Sequence, residues 1–277
     1  MAVIGKGTET YLLLTGIQTD TPVRLRANTE LLPATCHLSY DEFAGMMKHS
    51  YIDFAVGLLV IPSVRSQLYI TADNAKELAV RAWNAQWDCL LLSALFDKTV
   101  LWNVQSEIPA EKIDASSTLN ITNYHLAGFH ALSEHQLTTT DKEWLERHFA
   151  TARNLLSNPA FETAAHSLAT FRWHSVPRSQ LALIWSGIEA LFAIDSEIVF
   201  RVSLYIARFL EPADQAKRSQ LFAKVKQLYK QRSKAVHGAK IKGDIQTAVT
   251  ESSDLLGRLI RRCAEMNQIP DVESLAP

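Results

Sequence analysis

Hydrophobic residues in the first 125 positions follow two different periods. Short runs of apolar and β-branched residues predict β-strands, whereas apolar residues three and four positions apart over 73–96 predict one long helix. One face of that helix is marked by Leu78, Ala82, Ala85 and Cys89. The predicted strands cover 11–17, 23–32, 67–71, 99–104 and 117–124. This part of the chain is therefore predicted to be α+β.

From about residue 140 the apolar pattern is helical only. Thr140-Asp-Lys-Glu143 has the form of a capping box, and Asn158-Pro159 and Pro177 are typical of helix starts. The segment 198–210 is apolar nearly all round, which predicts a buried central helix. Six helices are predicted, over 140–156, from 158, from 177, over 198–210, up to 236 and from 243.

These patterns predict an α+β region followed by an all-α helical bundle, in a chain that is mainly α-helical. We expect a mixed N-terminal domain over 1–125, to which the sequence assigns no role. The helical bundle is expected over 140–267.

Composition places the chain among ordinary globular proteins. Of its 277 residues, 47% are hydrophobic and 21% charged, which excludes a disordered or collagen-like chain. The formal net charge of −1 argues against a generic nucleic-acid coat protein. The longest apolar run, 54–61, is too short to span a bilayer, and no leader segment is visible after Met1. We therefore predict a soluble cytoplasmic protein with no membrane partner.

The sequence offers neither a metal-ligand set nor a phosphate-binding loop. His125, His130 and His135 recur at five-residue intervals, which does not align two ligands on one helix face. No GxGxxG, GKS or GxSxG motif is present. The chain has three cysteines without a CxxC pair, which fits a reducing compartment; they are Cys36, Cys89 and Cys263. We predict no metal and no cofactor.

Charge is distributed unevenly along the chain. Residues 215–243 contain nine lysines and arginines and no acidic residue, so this window carries +9 and the remainder −10. Helix surfaces normally mix charge signs, because Glu–Lys pairs stabilise them. The window predicts a polyanionic partner, and a merely basic solvent-facing surface is the alternative. Its cations are Lys217, Arg218, Lys224, Lys226, Lys230, Arg232, Lys234, Lys240 and Lys242.

An arginine and a histidine near the end of this basic helix are predicted to point in different directions. A stripe at helical spacing contains Val225, Tyr229, Arg232 and Val236. Arg232 is therefore expected to face the bundle, where its guanidinium needs an anionic or hydrogen-bonding partner. On an unbroken helix His237 lies roughly 140° away. The two converge only if the helix ends between them, with Gly238 as the left-handed cap, or across a two-fold axis.

The sequence around these two residues resembles a known family. Arg232-x4-His237, within Tyr-Lys-x-Arg-Ser-Lys-x-Val-His-Gly, is similar to the R-x(4–6)-H signature of HEPN domains. Together with Trp185-Ser-Gly-Ile-Glu-Ala-Leu-Phe192 upstream, it resembles the ApeA-like branch of that superfamily. The resemblance covers roughly 140–267. It implies a helical bundle that pairs as a homodimer, a shared cleft lined by both motifs, and metal-independent endoribonuclease activity.

The resemblance also implies roles for individual residues. His237 would transfer protons during attack of an RNA 2′-hydroxyl on the adjacent phosphate, and Arg232 would stabilise the charge of the transition state. Ser233 stands where nuclease members commonly carry Asn, Asp or His, and Ala239 stands where another variant carries an adenylylated tyrosine. Serine hydrogen-bonds but does not accept a full proton.

The remaining candidates are supporting and RNA-binding residues. Glu189 is predicted to pair with either Arg232 or Arg201 inside the bundle, because a carboxylate on an apolar helix needs a partner. Tyr229 is a further supporting candidate beside Arg232. The residues expected to hold the RNA backbone are Lys226, Lys230, Lys234, Lys240 and Lys242.

Two functions follow from this sequence. The first is a homodimeric, metal-independent endoribonuclease in antiviral defence, a toxin–antitoxin pair or a stress response, with an antitoxin or regulatory protein as a further partner. The second is a non-catalytic HEPN module that binds RNA or protein and dimerises through the bundle. The second predicts salt-sensitive RNA binding without cleavage products.

Overall fold

The computed structural model describes residues 5–46, 51–126, 134–194, 198–239 and 243–276. As predicted, the chain is mainly helical, with an N-terminal α+β region containing an antiparallel sheet and helices after it. It divides into two compact units, a sheet unit of residues 1–92 and 98–150 and a helical unit of residues 93–97 and 151–277. The sheet unit contains 11 basic and 16 acidic residues, and the helical unit 17 basic and 13 acidic residues.

The sheet unit is built on a six-stranded antiparallel sheet in the order β3-β4-β5-β1-β6-β7. Its strands are β1 (Glu9–Thr15), β3 (Val23–Arg26), β4 (Thr29–Pro33), β5 (Ser66–Thr71), β6 (Leu101–Ser106) and β7 (Leu119–Ile121). The short strands β2 (Ile17–Gln18) and β8 (His135–Gln136) form a separate parallel pair.

The prediction of one strand over 23–32 is wrong, because the chain turns back within it. Arg26 pairs with Thr29, so Ala27 and Asn28 form a two-residue hairpin turn between β3 and β4. The sequence pattern does not show this turn, since the strand-like residues continue on both sides of it.

Two helices of the sheet unit were not predicted from sequence. They are α1 (Tyr40–Met46) and α2 (Tyr51–Val60). Phe43, Val56 and Val60 of these helices pack in one core with Leu13 and Val104 of the sheet. The run 54–61 is almost continuously apolar, and such a run shows neither the period of a helix nor that of a strand.

The long helix α3 (Ala75–Phe96) closely matches the helix predicted over 73–96. Its predicted apolar face is buried, with Leu78, Ala82, Ala85 and Cys89 at most 4% exposed.

The remaining helices are α4 (Thr139–Leu155), α5 (Pro159–Thr170), α6 (Pro177–Phe192), α7 (Ile198–Leu210), α8 (Gln215–Val236), α9 (Ile245–Met266) and α10 (Val272–Leu275). The start of α5 is as predicted, because the Asn158 side chain accepts hydrogen bonds from the N–H groups of Ala160 and Phe161. The capping box of α4 lies two residues earlier than predicted. Thr138 and Asp141 form it reciprocally, in place of Thr140 and Glu143.

Helix α7 is not buried all round, which corrects the prediction of a central helix. Val202, Ile206 and Phe209 are buried, whereas Ile198 is 36% and Phe200 51% exposed. Helix α6 packs against three other helices, α5, α8 and α9. None of the helices in the described segments combines the length and apolar character needed to cross a membrane.

Candidate functional site

Helix α6 brings the two sequence blocks of interest into contact. Trp185 is wholly buried, and its indole Nε1–H donates to Ser252 Oγ of α9 at 3.1 Å. Its ring meets that of Tyr229 on α8 edge-to-face, with centroids 5.2 Å apart. Gly187 allows α5 to approach α6 closely, because a Cβ there would lie 3.1 Å from Cα of Ala164 on α5. Trp185 thus holds α8 against α6, and Gly187 brings α5 close to α6.

Arg232 reaches back from α8 to α6. Its Nη2 donates to Oε2 of Glu189 at 2.8 Å, and the two side chains are only 21% and 29% exposed. The sequence left both Arg232 and Arg201 open as partners of Glu189, and the structure pairs Glu189 with Arg232. Within the described residues, Arg232 Nε and Glu189 Oε1 are buried without a hydrogen-bond partner. Such unsatisfied polar atoms are costly.

Tyr229 packs under this ion pair and stays protonated. Arg232 Cζ lies 5.4 Å from the centre of the Tyr229 ring. Burial raises the pKa of Tyr229, and the negative charge of Glu189 raises it further, against the opposing effect of Arg232. Tyr229 is therefore a neutral phenol at neutral pH and supports Arg232 by contact, not as a base.

The end of α8 presents His237 to solvent. The helix continues to Val236, and the His237 N–H donates to Ser233 O at 3.0 Å. Gly238 has φ +72°, as predicted for a left-handed cap, and the Ala239 N–H donates to Lys234 O at 3.0 Å. Because the i to i−4 hydrogen bond still forms at His237, the chain keeps its helical course from Arg232 to His237 and the two side chains do not converge.

Arg232 and His237 consequently lie on different sides of α8 in one chain. Arg232 faces α6, whereas His237 is exposed. The predicted stripe also ends earlier than expected, since Val236 is 49% exposed while Val225 and Tyr229 are buried. Convergence across a two-fold axis stays a prediction.

Arg178, on the first turn of α6, holds the end of α8 and was missed from the sequence. Its Nη1 donates to the carbonyls of Lys234 and Ala235, each at 3.1 Å, and its Nη2 to that of Ala239 at 2.9 Å. A cation at a helix C-terminus also stabilises the helix dipole. No sequence signal singles out this residue, because its contacts are with backbone groups 56–61 positions away.

We expect Arg178→Ala to loosen the last turn of α8. The variant loses three charge-assisted hydrogen bonds, so the amides of His237 and Ala239 should exchange hydrogen about tenfold faster or more. Hydrogen exchange at these two amides is the measurement, with the amides of α5 as an internal reference. Unchanged protection at both amides would contradict a role for Arg178 in fixing His237.

Several cations of the basic window have counter-charges from outside it, which corrects the impression of an uncompensated charge run. Lys224 pairs with Glu251 of α9, and Lys217 lies 3.7 Å from Asp214. Arg218 donates to the backbone carbonyl of Glu211. A count over 215–243 leaves these partners out, because Asp214 and Glu211 lie just before the window and Glu251 lies on α9.

Three lysines of α8 lack an ion-pair partner among the residues that the structure describes. Lys226, Lys230 and Lys234 are all exposed. They follow one another at four-residue intervals, which places them in a row along one face. His237, seven positions after Lys230, falls within about 20° of it around the helix axis. We call Lys226, Lys230, Lys234 and His237 the α8 face. Lys240 and Lys242 lie outside the described residues.

The carbonyl of Ser233 lies in the last turn of α8 and accepts the hydrogen bond from the His237 N–H, and the Ser233 residue is half-buried.

No three His, Cys, Asp or Glu side chains approach one another closely enough to hold a metal ion in the described segments. Of the spaced histidines, His130 lies outside those segments.

Comparison with families of known proteins, with curated proteins and with solved structures finds no significant match to this chain. The functional assignment therefore depends on the chemistry of these residues.

Proposed function

We propose that this protein binds single-stranded RNA along the α8 face and cleaves it without a metal ion, as an endoribonuclease of the HEPN type. The observation that carries the proposal is a row of exposed lysines, without ion-pair partners in the described part of the chain, that leads to an exposed histidine at a helix end held by Arg178. Lysines hold the phosphate backbone electrostatically, and histidine is the side chain that most often transfers protons in catalysis.

The proposed reaction is an internal transesterification. The 2′-oxygen forms a bond to the adjacent phosphorus while the bond to the 5′-oxygen breaks, which leaves a cyclic phosphate and a 5′-hydroxyl. The 2′-hydroxyl loses a proton and the leaving 5′-oxygen gains one, and we assign this proton transfer to His237. Arg232 donates from its guanidinium fork to the charge that develops on the phosphate. Glu189 accepts a hydrogen bond from Nη2 of that fork, so it orients Arg232 while other donors serve the phosphate.

A homodimer is part of this proposal. Because Arg232 and His237 face different sides of α8 in one chain, a site that uses both draws them together across a two-fold axis. The sequence resemblance supports that arrangement, and it also supports a setting in defence, a toxin–antitoxin pair or a stress response with a regulatory partner.

A second candidate is an RNA-binding module without catalysis. The same divergence of Arg232 and His237 favours it, because the α8 face retains its lysines even when Arg232 serves only as the partner of Glu189. The two functions differ in whether the bound RNA is cut.

The test combines cleavage and binding of one labelled single-stranded RNA in the presence of EDTA. We expect products ending in a 2′,3′-cyclic phosphate, and no cleavage of the same oligonucleotide made with deoxyribose, which lacks the attacking hydroxyl. Replacing Lys226, Lys230 and Lys234 together by glutamine should reduce the slope of log affinity against log salt by about 2, at roughly 0.7 per phosphate contact. Salt-sensitive binding without products would identify the second function, and no binding would contradict both.

A further inference from the structure

An exposed aromatic side chain lies beside the start of the α8 face. Phe200 of α7 is 51% exposed, and its ring meets Phe222 of α8 edge-to-face with centroids 5.8 Å apart. Nζ of Lys226 lies 5.9 Å from the centre of the Phe222 ring. Phe222 therefore joins the exposed ring of Phe200 to the first lysine of the α8 face.

The surroundings of Phe200 carry the charge that a nucleic acid requires. The exposed lysines Lys226, Lys230 and Lys234 follow this pair of rings along α8, whereas Arg208 of α7 donates to the carbonyl of Leu275. Phe222 precedes Lys226 by four residues, so it continues the row of lysines. An exposed aromatic ring next to a basic track is the arrangement by which proteins bind single-stranded nucleic acid, since any base can stack on it.

The length of the track sets the size of the bound segment. Lys226 and His237 are 11 positions apart, which is about 16 Å along a helix axis. A stacked strand rises about 3.4 Å per nucleotide, so this distance corresponds to about five nucleotides. Phe200 lies at the Lys226 end of the track and His237 at the other.

We propose that Phe200 stacks on one unpaired base of the RNA, at least about five nucleotides from the bond that His237 acts on. This inference rests on the proposed function and specifies its substrate as RNA whose bases are unpaired, because the bases of a duplex are stacked on one another and their faces are inaccessible. A second copy of the chain fits this surface less well. A symmetric contact through the same patch would bring the lysine rows of both copies together.

The test compares Phe200→Leu and Phe200→Ala with Phe200→Trp. Leucine preserves apolar volume but cannot stack, and tryptophan stacks. We expect the dissociation constant for a fluorescently labelled oligouridylate, measured by anisotropy, to rise about 5- to 100-fold in the leucine and alanine variants. The tryptophan variant should bind at least as tightly as the natural protein. Trp83→Ala, which removes a 44% exposed aromatic ring from the sheet unit, is the matched control and should not change the constant.

The salt dependence of binding separates this inference from the proposed function. Phe200→Leu should leave the salt slope unchanged, whereas Lys230→Gln should reduce it. If the natural protein binds RNA with the expected slope but Phe200→Leu binds equally well, stacking is excluded while RNA binding stands. A Phe200→Leu variant that changes the molar mass in light scattering would assign the ring to a protein contact and overturn the inference. Failure of the natural protein to bind any RNA overturns both.

Discussion

Replacing His237 with alanine is expected to lower the rate of RNA cleavage by about 10²- to 10⁴-fold, the usual contribution of a general acid–base group. The affinity for RNA should change by less than about twofold, because the lysines supply most of the electrostatic attraction. His237 is exposed at the end of α8 and its backbone is held by the Ser233 carbonyl, so its side chain can be removed without disturbing the core. Cleavage in EDTA and anisotropy on one RNA measure the two quantities.

The control for this variant is His174→Ala. His174 is also an exposed histidine of the helical unit, but it lies after α5 and away from the end of α8 in the chain. Its loss should leave both cleavage and binding unchanged. Cleavage by His237→Ala at the natural rate would exclude His237 from the chemistry and favour the non-catalytic function.

Replacing Trp185 with alanine is expected to lower the free energy of unfolding by about 3–5 kcal/mol, the range for a fully buried large aromatic residue. The indole fills the space between α6, α8 and α9, through its contact with Tyr229 and its hydrogen bond to Ser252. The alanine variant leaves a cavity there and an unpaired Ser252 hydroxyl, which is itself wholly buried. Urea unfolding followed by far-ultraviolet circular dichroism is the measurement.

Two further variants divide this loss into its causes. Trp185→Phe retains most of the volume and removes the hydrogen bond, so it should cost about 1–3 kcal/mol. Trp83→Ala removes a half-exposed indole and should change the free energy of unfolding by less than about 0.5 kcal/mol. A Trp185→Ala variant as stable as Trp83→Ala would contradict the packing of the Trp185 indole between α6, α8 and α9.

The sequence predicts those parts of the fold whose causes are local. Asn158 and Pro159 start α5 as expected, and Gly238 ends α8 in the left-handed conformation. The direction of Arg232 also follows from the helical period, because a residue on the stripe of Val225 and Tyr229 has to face the bundle. A helix cap or a helical period involves residues within about one or two turns, so all of the residues that cause it are close together in the sequence.

The parts that sequence reasoning missed depend on residues far apart in the chain. Glu251 neutralises Lys224 from another helix, so a count over 215–243 overstates the free charge. Arg178 is unremarkable in sequence because its partners are carbonyl groups, which every residue possesses. The exposure of Phe200 is likewise invisible in an almost wholly apolar segment, since periodicity alone does not distinguish a covered face from an open one.

The opposite charge balance of the two units affects the solubility of the protein in buffer. The sequence isoelectric point is about 6.8, so the whole chain is nearly uncharged in neutral buffer, where proteins associate most readily. The excess acidic residues of the sheet unit nevertheless attract the excess basic residues of the helical unit in neighbouring molecules. Salt screens such attraction beyond about 8 Å at physiological ionic strength. Added salt should therefore raise the solubility of the protein, and it should also release any nucleic acid bound to the basic residues. Preparations made in dilute neutral buffer should instead turn cloudy and absorb strongly at the wavelength of nucleic acid.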